Sequence, residues 1–213
     1  MILLTASRIP DGLSKSILAD TVSLLFPHPD NKDYIENIRE RKNDRAACES
    51  LFALALLYEQ LLSLPCRIDP SALIFDRSEL GKPYFKDSRV KFNISHSKGY
   101  IAVASSIDEE VGVDVEASEL PYDRAIKMAE RYFSISEIKE VKNHPESFAR
   151  IWSRKEAKAK FLGESVGNIL SAEQNQEYSS KISEIYAHSF SIGKIPITLC
   201  TKREFSTIIF TIQ

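Results

Sequence analysis

Cysteine, glycine and tryptophan are scarce in this chain of 213 residues, numbering three, seven and one. Cys48, Cys66 and Cys200 are scattered, odd in number and in no ligand-like spacing. That excludes a disulfide scaffold and a zinc site, and it points to a reducing compartment. No Gly/Ser- or Pro-rich stretch interrupts the chain, so its parts are expected to pack tightly rather than swing on a linker. Excess charge of one sign is missing too: the net charge is −2. No global field draws the protein to nucleic acid or membrane, and any anionic partner must be met by a local basic patch. Long hydrophobic runs are also lacking. Leu51 to Tyr58 is the longest and falls well short of a membrane span. Met1-Ile2-Leu3-Leu4 is too short for a signal peptide before Arg8 and Asp11 interrupt it. The expectation is a cytoplasmic protein with no membrane and no nucleic-acid partner.

What is present is an ordinary globular composition, 43% hydrophobic and 27% charged, in a length that suits one large domain or two small ones. Met1 to Ile9 reads as a strand broken by Pro10-Asp11-Gly12. Weak helical periodicity follows over 14–25 and 31–42. A firmer helix spans 44–62, with Cys48, Leu51, Ala55, Tyr58 and Leu62 on one side and Leu64-Pro65 closing it. Ala72 to Phe75 reads as a strand and Gly81-Lys82-Pro83 as a turn. Strands at 90–95 and 100–105, joined through His96-Ser97-Lys98-Gly99, lead into an antiparallel meander whose last member is 111–116. Helices are expected at 123–132, 134–142 and 146–162, the middle one opened by the capping box Ser134-Ile135-Ser136-Glu137. Short strands are expected near 166–171, 179–186, 188–193, 196–201 and 205–212. Strand, helices, then strands thus occurs twice. This predicts an α+β fold of two similar subdomains, 1–108 and 109–213, with the boundary near Ile107 to Glu110.

The chemistry concentrates in Val111-Gly112-Val113-Asp114-Val115-Glu116. At period two, the valines share one face, and Gly112, Asp114 and Glu116 share the other. The two acids then lie roughly 7 Å apart at Cα, given a rise of about 3.3 Å per residue. Taken alone, an Asp-x-Glu strand reads first as a solvated acidic face. The helix over 146–162 changes that. Its apolar stripe runs through Phe148, Ile151, Trp152, Ala159 and Leu162, and at 3.6 residues per turn Lys155 and Glu156 fall inside it. Lys160 sits one turn beyond Glu156. Buried charge is costly unless it is paired or holds an ion. Asp114, Glu116 and Glu156 together make an oxygen-rich Mg²⁺ site that leaves room for water and phosphate oxygens. Lys155 and Lys160 beside it suit a polyphosphate, and phosphoryl-group transfer follows.

Ser95 and His96 are adjacent on a strand, so their side chains point to opposite faces. No G-x-S-x-G surrounds Ser95, and both groups suit phosphate contact better than serine-hydrolase chemistry. A metal-dependent nuclease or phosphohydrolase is one alternative reading, and a non-catalytic binding or scaffold protein is another.

Gly81-Lys82-Pro83, Phe92-Asn93-Ile94-Ser95-His96-Ser97, Val111 to Glu116, and Trp152-Ser153-Arg154-Lys155-Glu156-Ala157-Lys158-Ala159-Lys160 occur in that order. Together they resemble the 4′-phosphopantetheinyl transferases. More narrowly they are similar to the surfactin-synthetase-type branch, whose monomers are pseudo-dimers with the active site between two halves. Phe133-Ser134 with Glu137 is similar to the family's segment before the last motif. The resemblance implies that coenzyme A gives its phosphopantetheine arm to a serine of an apo carrier protein, releasing 3′,5′-ADP, with Mg²⁺ as cofactor. It implies Asp114, Glu116 and Glu156 as metal ligands and Glu156, Lys160 and Lys155 as catalytic groups. Ser95, His96 and Lys160 would meet coenzyme A phosphates, and Lys82 would lie by the adenine nucleotide. Carrier proteins of this kind are typically acidic, so Arg150, Arg154 and Lys158 are docking candidates on an expected monomer. One departure stands out. Where the family often has a basic residue before the Ser/Thr of the long helix, Glu49 precedes Ser50, which leaves Arg41, Lys42 and Arg45 as alternatives.

Overall fold

The computed structural model describes residues 1–174, 184–204 and 207–213. The chain opens with β1 (Ile2–Arg8), then α1 (Lys15–Leu25), α2 (Asn31–Arg39) and α3 (Asp44–Ser63). Ser14 and Asn43 cap α1 and α3 by accepting backbone N–H groups of Ser16 and Ala46. A single 3-10 turn, Pro70–Ala72, leads to β2 (Phe75–Arg77), β3 (Pro83–Phe85), β4 (Val90–Ser97) and β5 (Tyr100–Ile107). The second half runs β6 (Gly112–Val115), α4 (Tyr122–Tyr132), α5 (Ile135–Asn143), α6 (Ser147–Leu162), α7 (Val166–Gln174), β7 (Tyr186–Ile192), β8 (Ile195–Thr201) and β9 (Ile208–Ile212). The α+β class and the doubled order of strand, helices and strands are both present.

Two sheets stack at the centre. One has the order β4-β5-β1-β9, and β1 pairs antiparallel with β5 (Ile2 opposite Ser106) and parallel with β9 (Ile2 opposite Ile208). The C-terminal strand therefore closes the sheet of the first half. The other sheet has the order β6-β8-β7, with Gly112 opposite Cys200. Alternation explains the layering: Ile2, Leu4 and Ala6 of β1 pack with Ala102 and Ala104 against Val111, Val113, Val115, Ile197 and Leu199 of the second sheet. The opposite face of the first sheet buries Leu3, Phe92, Ile101 and Val103 against α1, α2 and α3. Helix α3 is long and apolar enough to suit a membrane span, yet it lies in this core. Gln60 on it is buried and donates to Thr5 Oγ1 and the Val103 carbonyl, both at 2.9 Å.

Several sequence expectations need correction. The acidic strand is not the last member of a meander, because β5 pairs with β4 and β1, while β6 pairs with β8. Residues 166–171 form helix α7 rather than a strand. Ser165 Oγ accepts the Asn168 N–H at 3.1 Å, and Val166 and Ile169, spaced for a helix, pack on Ala159 and Leu162. The strand expected at 72–75 starts at Phe75, behind the 3-10 turn, and pairs with β3, which periodicity did not reveal. Leu62 is exposed although it is expected on one side of α3 with Cys48 and Leu51, which are buried. That helix is enclosed by the sheet and its two neighbours, so its buried face is broader than one stripe and centred elsewhere. Most of the strand expected over 179–186, and residues 205–206 of the last one, lie outside the described residues.

The two sheets are also joined along an edge. The free edge of β6 faces β4, and three polar side chains of β4 meet it. Asn93 Oδ1 accepts from Val113 N (2.8 Å), Ser95 Oγ from Val115 N (3.3 Å) and Ser97 Oγ from Ala117 N (3.1 Å). On the other side of β6, helix α6 comes so close that a Cβ on Gly112 would lie 2.3 Å from the Ala157 carbonyl oxygen and 2.5 Å from Phe161 N. Only glycine permits that contact.

Helix α6 is steadied from its far side by α5. The Ser134–Glu137 capping box forms as expected. Glu137 goes further: its Oε2 lies 3.0 Å from Lys155 Nζ, and its Oε1 accepts from Arg154 at 2.6 Å. Lys155 is only 2% exposed and lies 5.2 Å from the Phe133 ring centre. Burial alone would raise the Glu137 carboxyl, but the Ser134 N–H and the Lys155 ammonium outweigh it and hold it below its ordinary 4.5.

Two predictions follow from this packing. Gly112→Ala should cost roughly 1–3 kcal/mol by forcing β6 and α6 apart, read as a lower denaturant midpoint; an unchanged midpoint would show the contact to be compliant. Glu137→Gln should cost roughly 3 kcal/mol near neutral pH by removing a carboxylate that pairs with the buried Lys155. A depressed carboxyl stabilises above its unfolded value of 4.5 and loses that contribution as pH falls through its folded value. The variant should therefore show a flatter acid limb of Tm against pH, and a limb parallel to wild type would contradict the assignment.

Candidate active site

The acidic cluster is built where β4, β6 and α6 meet. Asp114 points from β6 toward α6 and is 2% exposed. Its Oδ1 accepts from Ser95 Oγ (2.8 Å) and from Lys160 Nζ (2.7 Å), and Lys160 also donates to Ser95 Oγ (2.9 Å). With the Val115 N–H arriving as well, the Ser95 hydroxyl gives its one hydrogen and fills both lone pairs, so its orientation is fixed. Asp114 Oδ2 is buried with no hydrogen-bond partner. Glu156, one helical turn before Lys160, lies 3.7 Å from its ammonium and accepts from Trp152 Nε1 at 2.8 Å. Burial first, and the neighbouring Asp114 carboxylate second, push the Glu156 carboxyl up to about 7.

Glu116 stands apart from this pair. Its Oε1 accepts from Ser97 Oγ (3.1 Å) and from Ser118 N (2.7 Å). Among the described residues no group of three or more His, Cys, Asp or Glu side chains is gathered as a ready-made ion cage. The structure thus brings Asp114 and Glu156 together with Lys160 and Ser95, and it turns Glu116 toward the loop after β6. Lys155 also leaves the cluster, for Glu137. A cavity of about 960 Å³ opens beside Glu116, lined by Leu120, Ala125, Phe148, Phe190 and Ile197. It shares only Glu116 with the acidic cluster, and its walls are mostly apolar.

The opposite face of β4 carries a second polar centre. His96 points to α3, where its Nδ1 lies 3.0 Å from Glu49 Oε2 and its Nε2 3.5 Å from Ser50 Oγ. Arg41 donates to the same Ser50 oxygen at 2.8 Å. Burial, then the charges of Lys160 and Arg41, hold the His96 imidazole below its usual value against the pull of Glu49. Lys82 is tethered to Glu110 Oε2 (3.3 Å) and points at the Val111 carbonyl, and burial lowers its pKa. Arg150 pairs with Glu140 and Arg154 with Glu137, so these two of the three docking candidates hold intramolecular partners.

Residue-by-residue reading missed Asn93, Ser97 and Trp152 as parts of the site. The alternation Asn93, Ser95, Ser97 opposite Phe92 and Ile94 was the available signal: one strand face polar throughout next to one that is apolar until His96.

The comparisons agree with this chemistry. Residues 110–207 match the model of the 4′-phosphopantetheinyl transferase superfamily. The chain is 34% identical over 134 residues to the 4′-phosphopantetheinyl transferase AcpT of Salmonella typhi, covering 60% of this chain and 67% of that one. It is 33% identical over 141 residues to AcpT of Escherichia coli K12, covering 63% and 69%. The 4′-phosphopantetheinyl transferase gsp of Aneurinibacillus migulanus is 33% identical over 127 residues, covering 57% and 51%. The chain belongs to the 4′-phosphopantetheinyl transferase superfamily, and its enzymatic reaction is the transfer of a phosphopantetheine group to a carrier protein.

Proposed function

We propose that this enzyme transfers the arm of coenzyme A at the β4–β6–α6 junction, with Mg²⁺ held by Asp114, Glu116 and Glu156. The observation that carries the metal reading is the buried, unpartnered Oδ2 of Asp114 beside a Glu156 carboxyl pushed up to about 7. Two carboxylates crowded this way, with only one ammonium between them, form a donor set that a hard divalent cation would satisfy. When bound, the ion supplies positive charge against the coenzyme A pyrophosphate.

The chain's own residues do the rest. Lys160 holds the pyrophosphate oxygens, and Ser95, its one hydrogen given to Asp114 and its oxygen met by Lys160, keeps both groups in place. The carrier serine oxygen forms a bond to the phosphorus that bears the pantetheine arm, and the bond from that phosphorus to the bridging oxygen breaks. Glu156 takes the serine proton. Lys160 steadies the departing 3′,5′-ADP and can return a proton to it. Lys155 supports α6 from behind through Glu137 rather than touching substrate. Lys82 lies by the adenine nucleotide.

On the other face of β4, His96, Ser50 and Arg41 hold the 3′-phosphate. Arg41 is chosen over Arg45 because Arg45 Nε is spent on Glu49 at 3.2 Å, whereas Arg41 reaches the Ser50 hydroxyl next to His96. The two halves, 1–108 and 109–213, form a pseudo-dimer of the surfactin-synthetase-type branch. Val111, Val113 and Val115 packed against β1 support this pairing, with β9 returned to the first sheet. The enzyme works as a cytoplasmic monomer on an acidic apo carrier. Its three free cysteines suit that compartment.

Incubation with coenzyme A, Mg²⁺ and apo carrier protein should add one phosphopantetheine by intact mass. Asp114→Ala should slow that by roughly a thousand-fold; near wild-type transfer in the variant would sink the site. Arg41→Ala should raise KM for coenzyme A about tenfold and leave KM for dephospho-coenzyme A unchanged. Equal losses with both would move the 3′-phosphate elsewhere.

A further inference from the structure

Glu49 is the residue that departs from the family's basic habit, and it is 5% exposed. A buried carboxylate needs a reason, and its partners supply one. Oε1 accepts the Gly99 N–H at 2.6 Å and Arg45 Nε at 3.2 Å, while Oε2 lies 3.0 Å from His96 Nδ1. A carboxylate oxygen can only accept, so the hydrogen sits on His96 Nδ1. The neutral ring then offers a lone pair at Nε2. That matches what faces it, because Ser50 Oγ already accepts from Arg41 and has its own hydrogen to give. The donors run in one direction, from Arg41 through Ser50 and His96 to Glu49.

A phosphate oxygen is also an acceptor, and an Nε2 lone pair would repel it. We propose that Glu49 is a positioning residue that holds His96 with its Nδ1–H turned inward, so that His96 meets a coenzyme A phosphate through Nε2–H as an imidazolium and coenzyme A binding takes up one proton from solvent. The inference rests on the reading of His96 as a phosphate contact. The charged groups around the ring are Glu49 from α3, Arg41 from the turn after α2, and Lys160 from α6. Burial and the two cations keep the unliganded ring neutral near neutral pH, with Glu49 opposing them. An arriving phosphate offsets Arg41 and Lys160, and the Glu49 carboxylate is then already in place as the counter-charge on the far side.

The test is calorimetric titration of the full chain with coenzyme A near neutral pH, in buffers of different ionisation enthalpy. The slope of apparent enthalpy against buffer enthalpy counts protons taken up. Glu156 also titrates near neutrality, so the quantity of interest is the difference between wild type and His96→Gln, which leaves Glu156 in place. Wild type should take up nearly one proton more than His96→Gln. Glu49→Gln, close to isosteric, should lose most of that difference and bind coenzyme A about tenfold more weakly. In the His96→Gln background the same change should have little further effect. Proton uptake and affinity unchanged in Glu49→Gln, while His96→Gln is impaired, would overturn the role of Glu49. Unchanged affinity in His96→Gln would instead overturn the phosphate contact itself. Should Glu49→Gln fail to fold, equal proton uptake by wild type and His96→Gln would still refute the imidazolium.

Discussion

Strand β6 receives side chains where a neighbouring strand would ordinarily be. The amides of Val113, Val115 and Ala117 donate to Asn93, Ser95 and Ser97, and this ladder fixes β6 beside β4 without making them one sheet. Each such bond is worth about 1 kcal/mol net, and leaving a buried amide unmet costs about 1–3 kcal/mol. Its greater consequence is geometric. Because the donors alternate along β6, the residues between them, Gly112, Asp114 and Glu116, are turned to the other face. Asp114 and Gly112 meet α6 there, and Glu116 turns to the loop at its own end of the strand.

Ser95 couples the ladder to the chemistry. One hydroxyl anchors the β6 backbone, donates to Asp114 and receives Lys160, so the position of β4 and the position of the reactive charges are a single variable. The absence of a side chain at Gly112 lets α6 approach far enough for Glu156 and Lys160 to join them. Glu137 then holds the helix from its opposite side through Lys155 and Arg154. Two lysines five residues apart on one helix thus do different work: Lys160 faces Asp114, and Lys155 is a buried strut.

Local patterns carried much of this. Alternation placed Asp114 and Glu116 opposite the valines, the 3.6-residue period placed Lys155 and Glu156 on the buried stripe of α6, and Ser134-x-x-Glu137 announced its capping box. Non-local pairing was hidden. Nothing in the residues of β9 says that it lies parallel to β1, and the alternating β6 looked like one more meander strand because its edge is met by side chains. Over 166–171 a short apolar run fits strand and helix alike, and the Ser165 cap and Ala159 as packing partner decide for the helix. The direction taken by Lys155 could be known only once α5 had been placed.

Asp114 lies against one face of β4 and His96 projects from the other, so on the proposed reading a single coenzyme A has to wrap the end of β4 to reach both. A crystal structure with coenzyme A and Mg²⁺ tests that most directly. It should show the pyrophosphate against Lys160, an ion on Asp114, Glu116 and Glu156, and the 3′-phosphate between Arg41 and His96. A pyrophosphate lodged in the cavity between Glu116 and Phe190, clear of Lys160, would contradict the account.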